Sequence, residues 1–158
     1  MTIQTNDIYY EDRKPYAVTA TPLEDLLSKH SVDARDFCDS WSTSCYRGYR
    51  AYWFIQDEQL FLRRLVVPTS KEPYWLSAPA ALNHEVKALA GATKFPIPAI
   101  WFTGEFTIGI GEPIPSGHAF GLYPSEQVFK VKGGLVLSKR RRTNVARSWV
   151  ELAQSTGG

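Results

Sequence analysis

The amino-acid sequence predicts an α+β domain: mainly an antiparallel sheet of about five or six strands, with two or three short helices packed on one side. Three observations predict it. Aromatic and β-branched residues crowd into two ribbons, around residues 47–67 and 126–140. Apolar residues recur at helical spacing after Thr21 and again after Pro79. The 158 residues, without an internal repeat or linker, have the length of one domain.

The first ribbon reads RGYRAYWFIQ, then Asp57-Glu58, then QLFLRRLVV. A turn at Asp57-Glu58 sets Ile55 against Leu60 and Trp53 against Leu62 on one face, which reads as core. Phe54 with Phe61, Tyr52 with Arg63, and Arg50 with Leu65 fall on the other, amphipathic face. Neither Asp57 nor Glu58 readily takes positive φ, so the turn type stays open. In the second ribbon a three-residue loop, Lys132-Gly133-Gly134, keeps the apolar phases matched, with Val131 facing Leu135 and Phe129 facing Leu137. Between the ribbons, Pro96 and Pro98 exclude a central strand. Phe106, Ile108 and Ile110 then alternate along a strand between Trp101 and Ile110.

The first helix starts at Thr21-Pro22-Leu23-Glu24, with Thr21 as cap, Pro22 at the first helical position and Glu24 where a capping box places its acid. It ends near His30. A second helix runs from about Pro79 to Ala90, with Leu82, Val86 and Leu89 in phase and Gly91 as C-terminal cap. A third is expected at Val145–Leu152, capped by Asn144. Residues 1–14 read as a loose polar arm and 155–158 as a disordered tail of a single domain spanning 1–158.

A chain this long buries roughly 70% of its unfolded surface, so it needs no disulfide or metal to fold. Its hydrophobic fraction is 44% and its charged fraction 22%, both ordinary. The aromatic fraction, 13%, is high, and Tyr and Trp serve binding surfaces as well as cores. The net charge of +2 is smaller than the basic excess that a non-specific nucleic-acid binder usually shows, although local basic patches stay open. Two cysteines, Cys38 and Cys45, and an N-terminus without an apolar leader core point to reduced thiols and a cytoplasmic protein. No stretch approaches the roughly 20 apolar residues of a membrane span.

The chemistry-bearing residues form no complete motif. Cys45 with His118 as base would make a nucleophilic pair, but the more ordinary reading of Cys45 is a buried thiol at a strand start. The histidines and cysteines match no zinc spacing. Gly109-Ile110-Gly111 lacks the third glycine and following helix of a dinucleotide site, so no cofactor is expected. Asp57-Glu58 and Glu11-Asp12 read as solvated carboxylates. The run Lys139-Arg140-Arg141-Arg142 suits phosphate or an acidic protein, against the plainer reading of a solvated strand end. Arg47, Tyr49, Arg50 and Tyr52 interleave base and aromatic as stacking sites do, yet they alternate faces, so at most half share a surface.

Three blocks resemble an uncharacterised bacterial family. The first is WSTSCYRGYRAYWFIQDEQLFL (41–62), with Ser44, Cys45, Arg47, Gly48, Tyr49 and Trp53 in the family's positions. The second is PIPAIWFTGEFTIGIGE (96–112) and the third HAFGLYPSEQVFKVKGGLV (118–136). Together they cover a little over a third of the chain, in matching order. Ile100 stands where the family pattern carries an acid. The resemblance implies association with immunity proteins, which neutralise a cognate protein toxin by direct binding and occlusion of its active site. On that expectation the partner-binding anchors are Tyr49, Tyr52, Arg63, Trp75 and Arg141, the residue types that dominate binding energy at interfaces. Two other classes remain open: a hydrolase or transferase using Cys45 and His118, and a single-stranded nucleic-acid binder using the basic strand end.

Overall fold

The computed structural model describes residues 4–38, 44–72, 74–114 and 122–143. Nine strands lie in one sheet: β1 (Asp7–Glu11), β2 (Lys14–Val18), β3 (Arg50–Gln56), β4 (Gln59–Pro68), β5 (Trp75–Ser77), β6 (Ile97–Pro98), β7 (Gly104–Ile110), β8 (Ser125–Lys132) and β9 (Leu135–Thr143). Helices α1 (Pro22–Lys29) and α2 (Ala80–Ala90) and a 3-10 turn at Ala34–Phe37 complete the described elements. The fold is therefore sheet-rich, with more strands than the five or six expected. The pairing is antiparallel except between β1 and β3.

The strand order is β3-β1-β2-β7-β8-β9-β4, and β4 also pairs with β3, so the sheet returns on itself as a ring of seven strands. The seam between β9 and β4 is the thinnest part. There Gln59 stands in register with Leu135, the Leu60 amide donates to Gly134 O at 2.9 Å, and the Val136 amide donates to Glu58 O at 2.7 Å. β5 and β6 add to the free edge of β4 beyond that seam.

Residues 7–14 are not an arm. β1 sits between β2 and β3, with Asp7 and Tyr9 buried. Polar composition misled the expectation, because the charge of Asp7 is matched inside the fold. Tyr9, Trp53, Phe106 and Phe129, from four strands, meet in the ring's interior at centroid distances of 5.7–6.2 Å for Tyr9–Phe106, Tyr9–Phe129, Trp53–Phe106 and Phe106–Phe129. Each such pair adds about 0.5–1.5 kcal/mol beyond burial. Helix α1 packs Leu23, Leu26 and Leu27 onto this core, and Trp101 Nε1 donates to Pro22 O at 2.9 Å. Thr21 provides no side-chain cap; its carbonyl accepts the Glu24 amide instead. Helix α2 buries Leu82 and Val86 and ends at Gly91, as its spacing predicts.

Both expected hairpins form, each with a shifted register. Asp57 and Glu58 adopt φ of 51° and 63°, a two-residue turn with both residues left-handed. Ile55–Leu60, Trp53–Leu62 and Phe54–Phe61 pair as expected, but a bulge then places Tyr52 opposite Arg64 and Arg50 opposite Val66. The second hairpin turns on Gly133 and Gly134 alone, not on three residues, so Val131 faces Val136. A register shift between Lys130 and Val131 sets Phe129 opposite Lys139 rather than Leu137. Alternation alone disfavours a two-residue turn, because it assumes that the β9 leucines are core; instead Leu135 and Leu137 stand exposed and the bulge brings Lys139 opposite Phe129. Gly134 combines φ of 83° with a backbone approach so close that a Cβ would stand 2.8 Å from Ala99 O. The helix expected at Val145–Leu152, its Asn144 cap and the 155–158 tail lie outside the described residues.

Candidate functional site

The first family-like block is anchored from within. Asp7 Oδ1 accepts from Arg47 Nη2 at 2.6 Å and from the Ala51 amide at 2.9 Å, and Oδ2 accepts from Trp53 Nε1 at 3.1 Å. Arg47 Nη1 donates to Thr5 O at 2.7 Å. The Asp7 and Arg47 side chains are 0% and 7% exposed, so this is an ion pair removed from water. Such a pair survives because hydrogen bonds satisfy both carboxylate oxygens and both terminal nitrogens of the guanidinium, although the buried Arg47 Nε makes none among the described residues. Gly48, between Arg47 and Tyr49, has φ of 82° and lies against Arg35, whose backbone N would be 3.1 Å from an added Cβ. Only glycine fits the turn that brings Arg47 to Asp7.

Tyr49 is fully buried by this clasp and cannot be a partner-binding anchor. Its ring lies under the Arg47 guanidinium, 5.2 Å from centroid to Cζ. Its hydroxyl has no well-formed hydrogen bond among the described residues, yet the Glu24 carboxyl is close enough to couple to it electrostatically. Burial pushes the Tyr49 hydroxyl well above the ordinary tyrosine range. Burial also raises Glu24, with the Tyr49 hydroxyl and Arg47 pulling the other way. Cys45 is likewise buried, its thiol donating to Tyr49 O at 3.1 Å and raised by desolvation. That is the setting of an inert thiol rather than of a nucleophile, which needs a lowered pKa and access. His118 lies outside the described residues.

The opposite face of β1, β3 and β4 has a different character. The bulge in β4 inserts Arg63 as an extra residue, so Arg63 and its neighbour Arg64 are both exposed on the outer surface. Arg64 lies over the Tyr52 ring at 4.4 Å, and Tyr10 on β1 stacks on Tyr52 with centroids 6.1 Å apart. Phe54 stacks on Phe61 at 5.0 Å. Farther along, Arg50 lies over Trp75 at 5.5 Å while its Nε donates to Asn6 O. Tyr10, Arg13, Tyr52, Arg63 and Arg64 line a shallow hollow of about 390 Å³. No protein family, curated protein or solved structure matches the chain.

Of the sequence-selected anchors, the fold brings Tyr52 and Arg63 together at this hollow and sets half-buried Trp75 on the same basic, aromatic sheet region. Tyr10, Arg13 and Arg64 escaped selection. Tyr10 and Arg13 stand in a polar stretch that reads as a loose arm, and the bulge that exposes Arg64 leaves no sequence signature. Arg141 is exposed on β9, in register with Gln127, and does not line the hollow. The Lys139–Arg142 run is partly neutralised: Arg140 pairs with Glu105 at 2.8 Å and Arg142 with Glu126 at 2.8 Å. Asp57, Glu58, Glu11 and Asp12 are exposed. Among the described residues, no group of three His, Cys, Asp or Glu is placed to hold a metal ion. No helix among them is long and apolar enough to cross a membrane.

Proposed function

We propose that this protein acts in the cytoplasm by binding another macromolecule, as an immunity protein that neutralises a cognate bacterial toxin by occluding its active site. The observation that carries the reading is the outer face of β1, β3 and β4, where Arg13, Arg63 and Arg64 surround Tyr10 and Tyr52. Tyr and Arg are the residues that most often supply binding energy when an interface closes over them. The stacking of Tyr10 on Tyr52 and of Arg64 over it holds these groups before a partner arrives, which lowers the ordering cost of association. The ring contacts weigh against single-stranded nucleic acid at this face. Base stacking needs a free ring face, whereas Tyr52 is flanked by Tyr10 and Arg64, and Trp75 is covered by Arg50.

The test is co-purification with the product of a toxin gene adjacent to its own, followed by assay of the toxin with and without the chain. A stoichiometric complex that silences the toxin at about micromolar concentration supports the reading. A toxin that remains fully active with the chain in excess removes it.

A further inference from the structure

We infer that the hollow between Tyr10, Arg13, Tyr52, Arg63 and Arg64 is a carboxylate-binding subsite that receives an acidic segment of a protein partner, an inference that rests on the outer face being the docking surface. The hollow gathers three guanidinium groups and two phenols, and no acid lines it. Four other arginines are ion-paired, Arg35 with Asp33, Arg47 with Asp7, Arg140 with Glu105 and Arg142 with Glu126, while Arg50 is held by the Trp75 ring and Asn6 O, and exposed Arg141 makes no ion pair among the described residues. Among the described residues, Arg13, Arg63 and Arg64 make no ion pair. Like charges held together repel one another, and a bound anion relieves that repulsion.

The shape and chemistry select the anion. At about 390 Å³ the hollow lies at the low end of the range for small-molecule pockets, room for one or two acidic side chains rather than a whole cofactor. Guanidinium forks donate to carboxylate oxygens two at a time, and Arg64 is already oriented by its stacking on Tyr52. The Tyr10 and Tyr52 hydroxyls add donors beside the forks. The covered Tyr52 ring offers no stacking platform for a base, which favours a carboxylate-bearing protein segment over a nucleic-acid strand.

The experiment titrates the intact chain with a hexaglutamate peptide, with inorganic phosphate and with a single-stranded oligouridylate, following arginine side-chain and tyrosine NMR signals. Saturable binding of the peptide that moves Arg13, Arg63 and Arg64 signals supports the subsite. So does a loss of affinity of at least about tenfold in the Arg63→Gln, Arg64→Gln double variant, with Lys94→Gln unchanged. The signals of the unsubstituted chain give an answer even if the double variant fails to fold. An unsaturable titration, unmoved arginines, or tighter binding of phosphate or oligouridylate overturns it. If the peptide binds but the adjacent toxin is not silenced, the toxin reading falls and the subsite stands. If the toxin is silenced equally well by the double variant, the subsite falls and the toxin reading stands.

Discussion

Asp7 and Trp53 lie 46 positions apart, and the indole Nε1 of Trp53 donates to the Asp7 carboxylate at 3.1 Å in the interior. Through this bond and the Arg47 pair, β1 is locked to the strand that begins the first hairpin. The polar contact and the parallel β1–β3 pairing therefore support one another.

Removing that carboxylate leaves Arg47 buried without its counter-charge, which costs about 3–5 kcal/mol. Asp7→Ala should show that loss in urea unfolding. Trp53→Phe, which leaves one carboxylate lone pair unmet and a smaller ring in the core, should also destabilise the protein, by about 1–3 kcal/mol. An Asp7→Ala midpoint within error of the parent's would mean that the clasp contributes nothing to stability.

Cys45 and Cys38 should respond very differently to a thiol reagent. Cys45 is buried, holds its proton against Tyr49 O and is raised by desolvation, whereas Cys38 is partly exposed. One equivalent is expected to react in the native protein, at Cys38, and a second only after denaturation. Mass spectrometry of the labelled peptides checks the order. Native labelling of Cys45 ahead of Cys38 would reopen the case for a nucleophilic site.

The hairpins were legible in the sequence because Trp53, Leu60, Leu62 and Ile55 alternate cleanly on one face. Their bulges were not, because an inserted residue such as Arg63 changes the pairing without changing composition. Asp7 was misread for a related reason. A buried acid is recognisable only through its partner, and Arg47 and Trp53 are far away in the chain. The candidate face was half legible: Tyr52, Arg63 and Trp75 stand in or beside the aromatic ribbon, while Tyr10 and Arg13 join them only through the parallel pairing of β1 with β3.

The first hairpin turn is strained at two residues that lack glycine's freedom. Asp57 and Glu58 hold φ of 51° and 63°, a left-handed conformation that costs an L-residue about 1–2 kcal/mol. Glu58→Gly removes that cost at one position but loosens the unfolded chain by about 0.4–1 kcal/mol. The strain term is the larger, so a net gain of about 0.5–1 kcal/mol is expected. Glu58 is exposed, so little side-chain packing is lost. Thermal unfolding of the variant checks the sign, and a lowered midpoint would mean that the turn is not limiting.

Burial raises Glu24 above its ordinary value of 4.5. Across the interval above 4.5 and up to the folded value, the folded chain holds the proton more tightly than the unfolded chain. Stability from this group is therefore complete below 4.5 and is lost as pH rises through that interval. Glu24→Gln keeps the shape but cannot ionise, so its stability should gain on the parent's as pH rises from about 4 to about 7. Asp33 acts in the opposite sense: Arg35 hydrogen bonds lower it, but the pair is exposed, so its contribution is small. The Asp33–Arg35 pair is common to both proteins and cancels in the comparison, while the repulsion of Glu24 by Asp33 remains and acts in the same direction as burial. Urea midpoints of parent and variant, measured at several pH values, isolate Glu24. A difference that stays flat across the range would show that burial of this carboxyl does not couple to folding.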